Sequence, residues 1–119
     1  MEKYIIQNNP FIVPTNDGKL IEEYFGKASK DVGDFSVAHM IAPPGWSEPF
    51  QVPMFDEITF IIKGRKQIEI DEDKIFLNKG ESICVNKGTR VKYSNPFDEE
   101  VEYISFCVPA FTLDRVNRE

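Results

Sequence analysis

The chain carries one histidine, His39, and two cysteines, Cys84 and Cys107. One histidine is too few for the two- or three-histidine ligand sets of most zinc hydrolases. An imidazole alone is a proton shuttle if a carboxylate or a ligand comes within hydrogen-bond reach, and a packed strand residue between Ala38 and Met40 if none does. The cysteines lack CxxC spacing and sit in apolar alternating segments, so they read as buried reduced thiols rather than a disulfide or a zinc pair. No nucleophile elbow, phosphate loop or dinucleotide fingerprint occurs. Lys63, Arg65 and Lys66 read as a solvated turn, as do the acidic runs Asp71 to Asp73 and Asp98 to Glu100. Two classes of chemistry survive: acid/base work on a small polar metabolite, and non-catalytic binding of a ligand.

Whatever positions these groups is one domain. At 119 residues, with 41% hydrophobic and 29% charged residues and ten phenylalanines, the chain is long enough for a single core and too aromatic for disorder. A net charge of −6 repels phosphate backbones and anionic lipid, so nucleic acid and membrane are not expected partners. The apolar run Tyr4 to Ile6 is too short for a signal peptide, and no later run has membrane-spanning length, which together with the unpaired cysteines predicts a cytoplasmic protein.

Short apolar, β-branched runs recur between Gly, Pro, Asn and Asp, the pattern of an all-β sandwich or barrel. Strands are predicted at Tyr4 to Gln7, Lys19 to Phe25, Phe35 to Ile41, Glu57 to Ile62, Lys66 to Ile70, Lys74 to Leu77, Ser82 to Val85, Val91 to Ser94 and Val101 to Cys107. Gly64 with Arg65 is expected to close one antiparallel hairpin, and Asp71 to Asp73 another. All eight prolines fall at or between the ends of these runs. Only Thr112 to Arg118 reads as helix, with Thr112 as cap, Asp114 in the first turn and Arg118 in the last. Phe35, Val37, His39 and Ile41 share one face of their strand and Ala38 and Met40 the other. Both faces are largely apolar, so this strand lies between layers or at an interface, and a homodimer is expected.

The glycines add a second layer of pattern. Gly45, Glu57 and Gly64, then Gly80, Gly88 and Asn95, stand at spacings that resemble the two signature motifs of the cupin superfamily. The stretch Phe55 to Gly64 is similar to the corresponding stretch of the ethanolamine-utilisation cupins. The first motif's histidine positions hold Gln51 and Pro53, the second motif's holds Val91, and Asn86 stands for its proline.

The resemblance implies an all-β fold, a cupin jelly-roll barrel of two antiparallel sheets with a short C-terminal helix, as one domain over residues 1–119. In such barrels three histidines and a glutamate hold a divalent metal. Only Glu57 survives here, so no metal and no other cofactor is expected; His39, Gln51 and Glu57 would make at best a weak site. The matched position places Glu57 at the start of a central strand facing the cavity, as a candidate general acid or base, or as a structural acceptor. Tyr93 and Asn95 share the inward face of Val91, Thr59 shares that of Glu57, and Gln51 lies at the mouth. The candidate catalytic set is therefore Glu57, His39 and Tyr93, and the candidate ligand-binding set Gln51, Thr59 and Asn95. Trp46, Phe50 and Phe55 either lid the mouth or pack over it. The expected function is small-molecule binding, with a metal-independent isomerase, epimerase or lyase as the alternative.

Overall fold

A computed structural model describes residues 3–29 and 33–119. Strand-forming runs become β1 (Phe11–Ile12), β2 (Leu20–Phe25), β3 (Ser36–Ala42), β4 (Asp56–Lys63), β5 (Lys66–Ile70), β6 (Asp73–Leu77), β7 (Ser82–Val85), β8 (Val91–Ser94) and β9 (Val101–Val108), followed by α1 (Leu113–Val116). Every paired strand is antiparallel, in a six-stranded sheet of order β1-β2-β3-β9-β4-β7 and a three-stranded sheet of order β6-β5-β8.

The two sheets face each other, and alternation sends every second side chain between them. At one end Ala42, Ile61, Ile68, Val91, Val101 and their neighbours fill that space completely. Each fully buried aliphatic side chain there contributes about 1.5–3 kcal/mol through removal from water. At the other end Phe55, Cys107 and Val116 pack with Phe111 and tie α1 to the barrel. Between these plugs the sheets stay apart and leave a cavity.

Several details differ from the sequence expectations. Residues 4–7 form no strand, and Tyr4, Ile5 and Ile6 are exposed. The edge of β2 is taken instead by β1, in register Phe11 with Glu23. Gly64 and Arg65 do not close a hairpin, because β4 and β5 belong to different sheets. Gly64 turns the chain from one sheet to the other at φ 82°, with its backbone so close to Glu100 that a Cβ would stand 2.4 Å from the Glu100 carbonyl oxygen. Only glycine tolerates both conditions. The second turn does join a true hairpin, β5 to β6, with Asp71 at φ 53°. Cys107 is buried, but Cys84 is exposed because its strand turns it to the outer side. α1 is one turn long, Thr112 makes no side-chain cap bond, and Arg118 lies beyond it. The chain ends by pairing with the barrel mouth, Arg118 beside Gln51. Among the described residues no helix is long and apolar enough to cross a membrane.

Candidate functional site

The cavity has a volume of about 210 Å³. Its wall is built by the inward residues of six strands: Ile21 and Glu23 from β2, Ala38 and Met40 from β3, Glu57 from β4, Lys66 from β5, Tyr93 from β8, and Tyr103, Ser105 and Cys107 from β9. Lys19, Glu48 and Gln51 complete it from the loops, and the exposed residues 14–17 and Leu113 form a rim open to solvent.

Two lysines dominate the interior. Lys66 is 2% exposed, with Nζ 3.6 Å from the ring centroid of Tyr103, 4.5 Å from that of Tyr93 and 6.0 Å from that of Trp46. These faces attract a cation. Among the described residues, however, no carboxylate lies within ion-pair distance of its Nζ. Removal from water, reinforced by the charge of Lys19, lowers its pKa to about 7 against the pull of Glu57 and Glu48. Lys19 is also buried, 4.4 Å over Trp46, but Glu48 lies 3.7 Å away. Burial disfavours its charge, yet Tyr103, Glu48 and Glu57 outweigh burial and hold its pKa above the ordinary value. Neutral pH therefore finds one lysine charged and the other half-neutral in one cavity.

The acceptors are as definite. Glu57 accepts a 2.5 Å hydrogen bond from the Ser105 hydroxyl at Oε2. Glu48 accepts from Arg118 at 2.9 Å, and Arg118 Nε donates to Gln51 Oε1 at 3.3 Å. Asp17 accepts from Trp46 Nε1 at 2.8 Å, which fixes the indole under the lysines. The hydroxyls of Tyr93, Tyr103 and Thr59 are buried and have no hydrogen-bond partner among the described residues. Burial raises the Tyr103 phenol to about 12 and pushes Tyr93 well up, with the nearby Glu57 adding to the Tyr93 shift. Burial and Glu57 likewise push up the Cys107 thiol, which stays protonated and inert.

Of the residues singled out from sequence, Glu57, Tyr93 and Gln51 line this cavity. Thr59 is fully buried on the same face but lies deeper, beyond the cavity wall. Asn95 is a clamp: its side-chain amide donates to the carbonyls of Ala42, Pro43 and Glu99 and accepts from the Phe97 amide. His39 is the clear correction. β3 turns Ala38 and Met40 inward and His39 outward, where Nδ1 is 2.8 Å from Glu22 and Nε2 is 2.6 Å from Glu102. Strand parity separates it from Glu57 by the thickness of the sheet. Lys66 is the second correction, since it is an inward residue of β5 rather than part of a solvated turn. Its alternation with Ile68 and Ile70 was the available signal. Trp46 and Phe55 are both buried, as core rather than lid.

The residues present do not fit the divalent metal of histidine-bearing cupins. Pro53 and Val91 offer no donor, the Gln51 amide oxygen is a poor ligand already bonded to Arg118, and two lysines share the cavity with Glu57. Among the described residues no cluster of three or more His, Cys, Asp or Glu has a metal-holding arrangement.

Comparison with known proteins agrees with this architecture. A protein of Myxococcus xanthus described as endoribonuclease YbeY is 40% identical over 108 residues, which are 91% of this chain. The chain spans only 37% of that relative's length. An RmlC-like cupin from Shewanella frigidimarina superposes with a TM-score of 0.74 at 14% identity, covering 98% of this chain and 97% of that one. The EutQ protein of Clostridium difficile superposes with a TM-score of 0.64 at 21% identity, over 85% of this chain and 72% of that one. The profile of the cupin domain matches residues 38–107, more than half the chain, and together with the strand order and the motif glycines this means that the protein belongs to the cupin family.

Proposed function

We propose that this chain binds one small polar metabolite inside the barrel. The observation that carries the reading is a single cavity holding two lysines, Glu57 and two unpartnered tyrosine hydroxyls. A buried hydroxyl without a partner costs roughly 1–3 kcal/mol, which a hydrogen-bonding ligand recovers. At about 210 Å³ the site is smaller than the roughly 300–1,000 Å³ of drug-sized ligands, so the occupant is a compact molecule dense in oxygen. Proton transfer between Glu57 and Tyr93 is the second reading, supported by their presence on facing walls of one cavity, and His39 takes no part in it. The endoribonuclease activity named for the Myxococcus relative belongs to a much longer chain, and a net charge of −6 argues against RNA here.

The test is a thermal-shift and calorimetry panel of hydroxy, oxo and sugar acids of three to six carbons. A true ligand at about 100 times its Kd adds about 2.7 kcal/mol of stability. Glu57→Gln is expected to weaken that binding by about 1–3 kcal/mol through one lost charge-assisted hydrogen bond. Stabilisation that survives both Glu57→Gln and Lys66→Met would place the ligand elsewhere and refute the reading.

The same reading includes a homodimer in a reducing cytoplasm. Ile58, Phe60 and Val108 are exposed together on the outer face of the six-stranded sheet, and Tyr4 to Ile6 also expose apolar side chains, which supports a second copy as the cover. The exposed free thiol of Cys84 supports the compartment. Light scattering at micromolar concentration is expected to return twice the chain mass, and the mass of one chain would refute the dimer.

A further inference from the structure

We infer that Lys66 is an imine-forming amine and that the cavity takes a small 2-oxo acid, whose carboxylate meets Lys19 while its carbonyl carbon meets Lys66. This rests on the reading that the cavity binds a small polar metabolite, and it names the class. Three features of geometry carry it. Lys66 Nζ points into the cavity with aromatic rings around it and no carboxylate within ion-pair distance among the described residues, so its lone pair is not tied up. Lys19, anchored by Glu48 at 3.7 Å, is a second and permanently charged lysine in the same space. The Tyr93 and Tyr103 hydroxyls are buried and unpartnered on the walls beside Lys66, as donors for an oxygen that must gain a proton. Two lysines with divided roles are what a 2-oxo acid requires: one cation to hold, one amine to attack.

The step balances without any oxidant or cofactor. The Lys66 lone pair attacks the carbonyl carbon and forms the N–C bond, while the C=O π pair moves to oxygen, which takes a proton. Nitrogen gives up a proton to Glu57, the carboxylate whose charge acts most strongly on Lys66. Reprotonated, the hydroxyl leaves as water when the nitrogen pair closes the C=N bond. Lys66, the oxo acid and one proton become a protonated imine and one water. The ionisable groups around Lys66 include Lys19 from the loop before β2, Glu23 of β2, Glu48 from the loop after β3, Glu57 of β4, Tyr93 of β8, and Tyr103 and Cys107 of β9. Lys19 keeps its charge through neutrality, and Tyr93, Tyr103 and Cys107 keep their protons, on the directions given above.

The test is reductive trapping of the full chain with pyruvate and sodium cyanoborohydride, read by intact mass and peptide mapping. The expected product is one adduct per chain, heavier by pyruvate less one oxygen, on Lys66 among the ten lysines. Its rate is expected to climb through about pH 7 and level off, whereas ordinary lysines reach their neutral form only near pH 10.4. Lys66→Met abolishes the adduct. Lys19→Met slows trapping of pyruvate at least tenfold but leaves that of glyceraldehyde, which has no carboxylate, within about twofold. Absence of an adduct, or labelling spread over surface lysines and unchanged by Lys66→Met, overturns the proposal. If pyruvate or another oxo acid stabilises the protein without being trapped, the imine fails and the binding reading stands. If only non-carbonyl acids bind, the assigned class is wrong.

Discussion

Replacing Lys66 by Met is expected to stabilise the protein while destroying its site. The side chain is 2% exposed, and folding takes it from water, where an amine is protonated well above pH 7, to a cavity where its pKa falls to about 7. At about 1.4 kcal/mol per pKa unit, with half the folded molecules still carrying the proton, the folded state loses about 4 kcal/mol at pH 7. Methionine has a similar reach, removes that cost, and keeps contact with the Tyr103 and Tyr93 rings through sulfur, worth about 0.3–1.5 kcal/mol against a lost cation–π attraction of about 2. The balance is a gain of about 2–4 kcal/mol. The pH dependence has a definite sign. Between the folded and the unfolded pKa the unfolded chain binds the extra proton, so wild-type stability rises with pH above about 7, by about 1 kcal/mol per pH unit. The rise is opposed at higher pH, where Tyr93, Tyr103 and Cys107 ionise more easily unfolded than folded. Urea unfolding at about pH 6, 7 and 8.5 reads both effects. Across that interval the wild type should gain relative to Lys66→Met, and Lys66→Met should be the more stable of the two at pH 7. A variant less stable than wild type at pH 7, or a difference between the two that does not change with pH, would refute the account of Lys66 as a strained, water-deprived amine.

On the outer face, Glu102 and Glu22 overcome partial burial and raise the His39 pKa, so His39 contributes stability that is full below its unfolded value and lost as pH rises through the higher folded value. His39→Gln should remove that loss, measured most cleanly in the Lys66→Met background where the opposing slope is gone. Tyr93→Phe deletes a buried hydroxyl without a partner, so urea unfolding should show stability unchanged or raised by about 1 kcal/mol, while calorimetry with the ligand found by panel shows weaker binding. Asn95→Ala unties three carbonyls at the closed end and should cost about 2–3 kcal/mol in the same unfolding assay with the ligand's Kd unchanged.

Strand order along the chain was legible because it depends on local signals: alternation, proline placement and turn glycines act within a few residues. Eight of the runs read from sequence became strands, with ends moved by a residue or two, and Glu57, Tyr93 and Gln51 reached the cavity through motif spacing. The segment Tyr4 to Gln7 has strand-like residues but no partner edge, and pairing is a property of two segments rather than one. Gly64 looked like a hairpin turn since its φ suits one, yet the strands it joins lie in different sheets, which only the packing of the layers decides.

The site shows the same division. Parity along β3 put His39 and Met40 on opposite faces from the sequence alone, but which face became the interior was set by what covers each side of the sheet. Lys66 read as part of a solvated turn and Lys19 only as the start of a strand, because residue type carries the average cost of burial and not the local one. The second sheet, Trp46 fixed by Asp17, and Tyr103 from a strand far along the chain make a place for those amines, and only their meeting in three dimensions decides that one stays charged while the other gives up its proton.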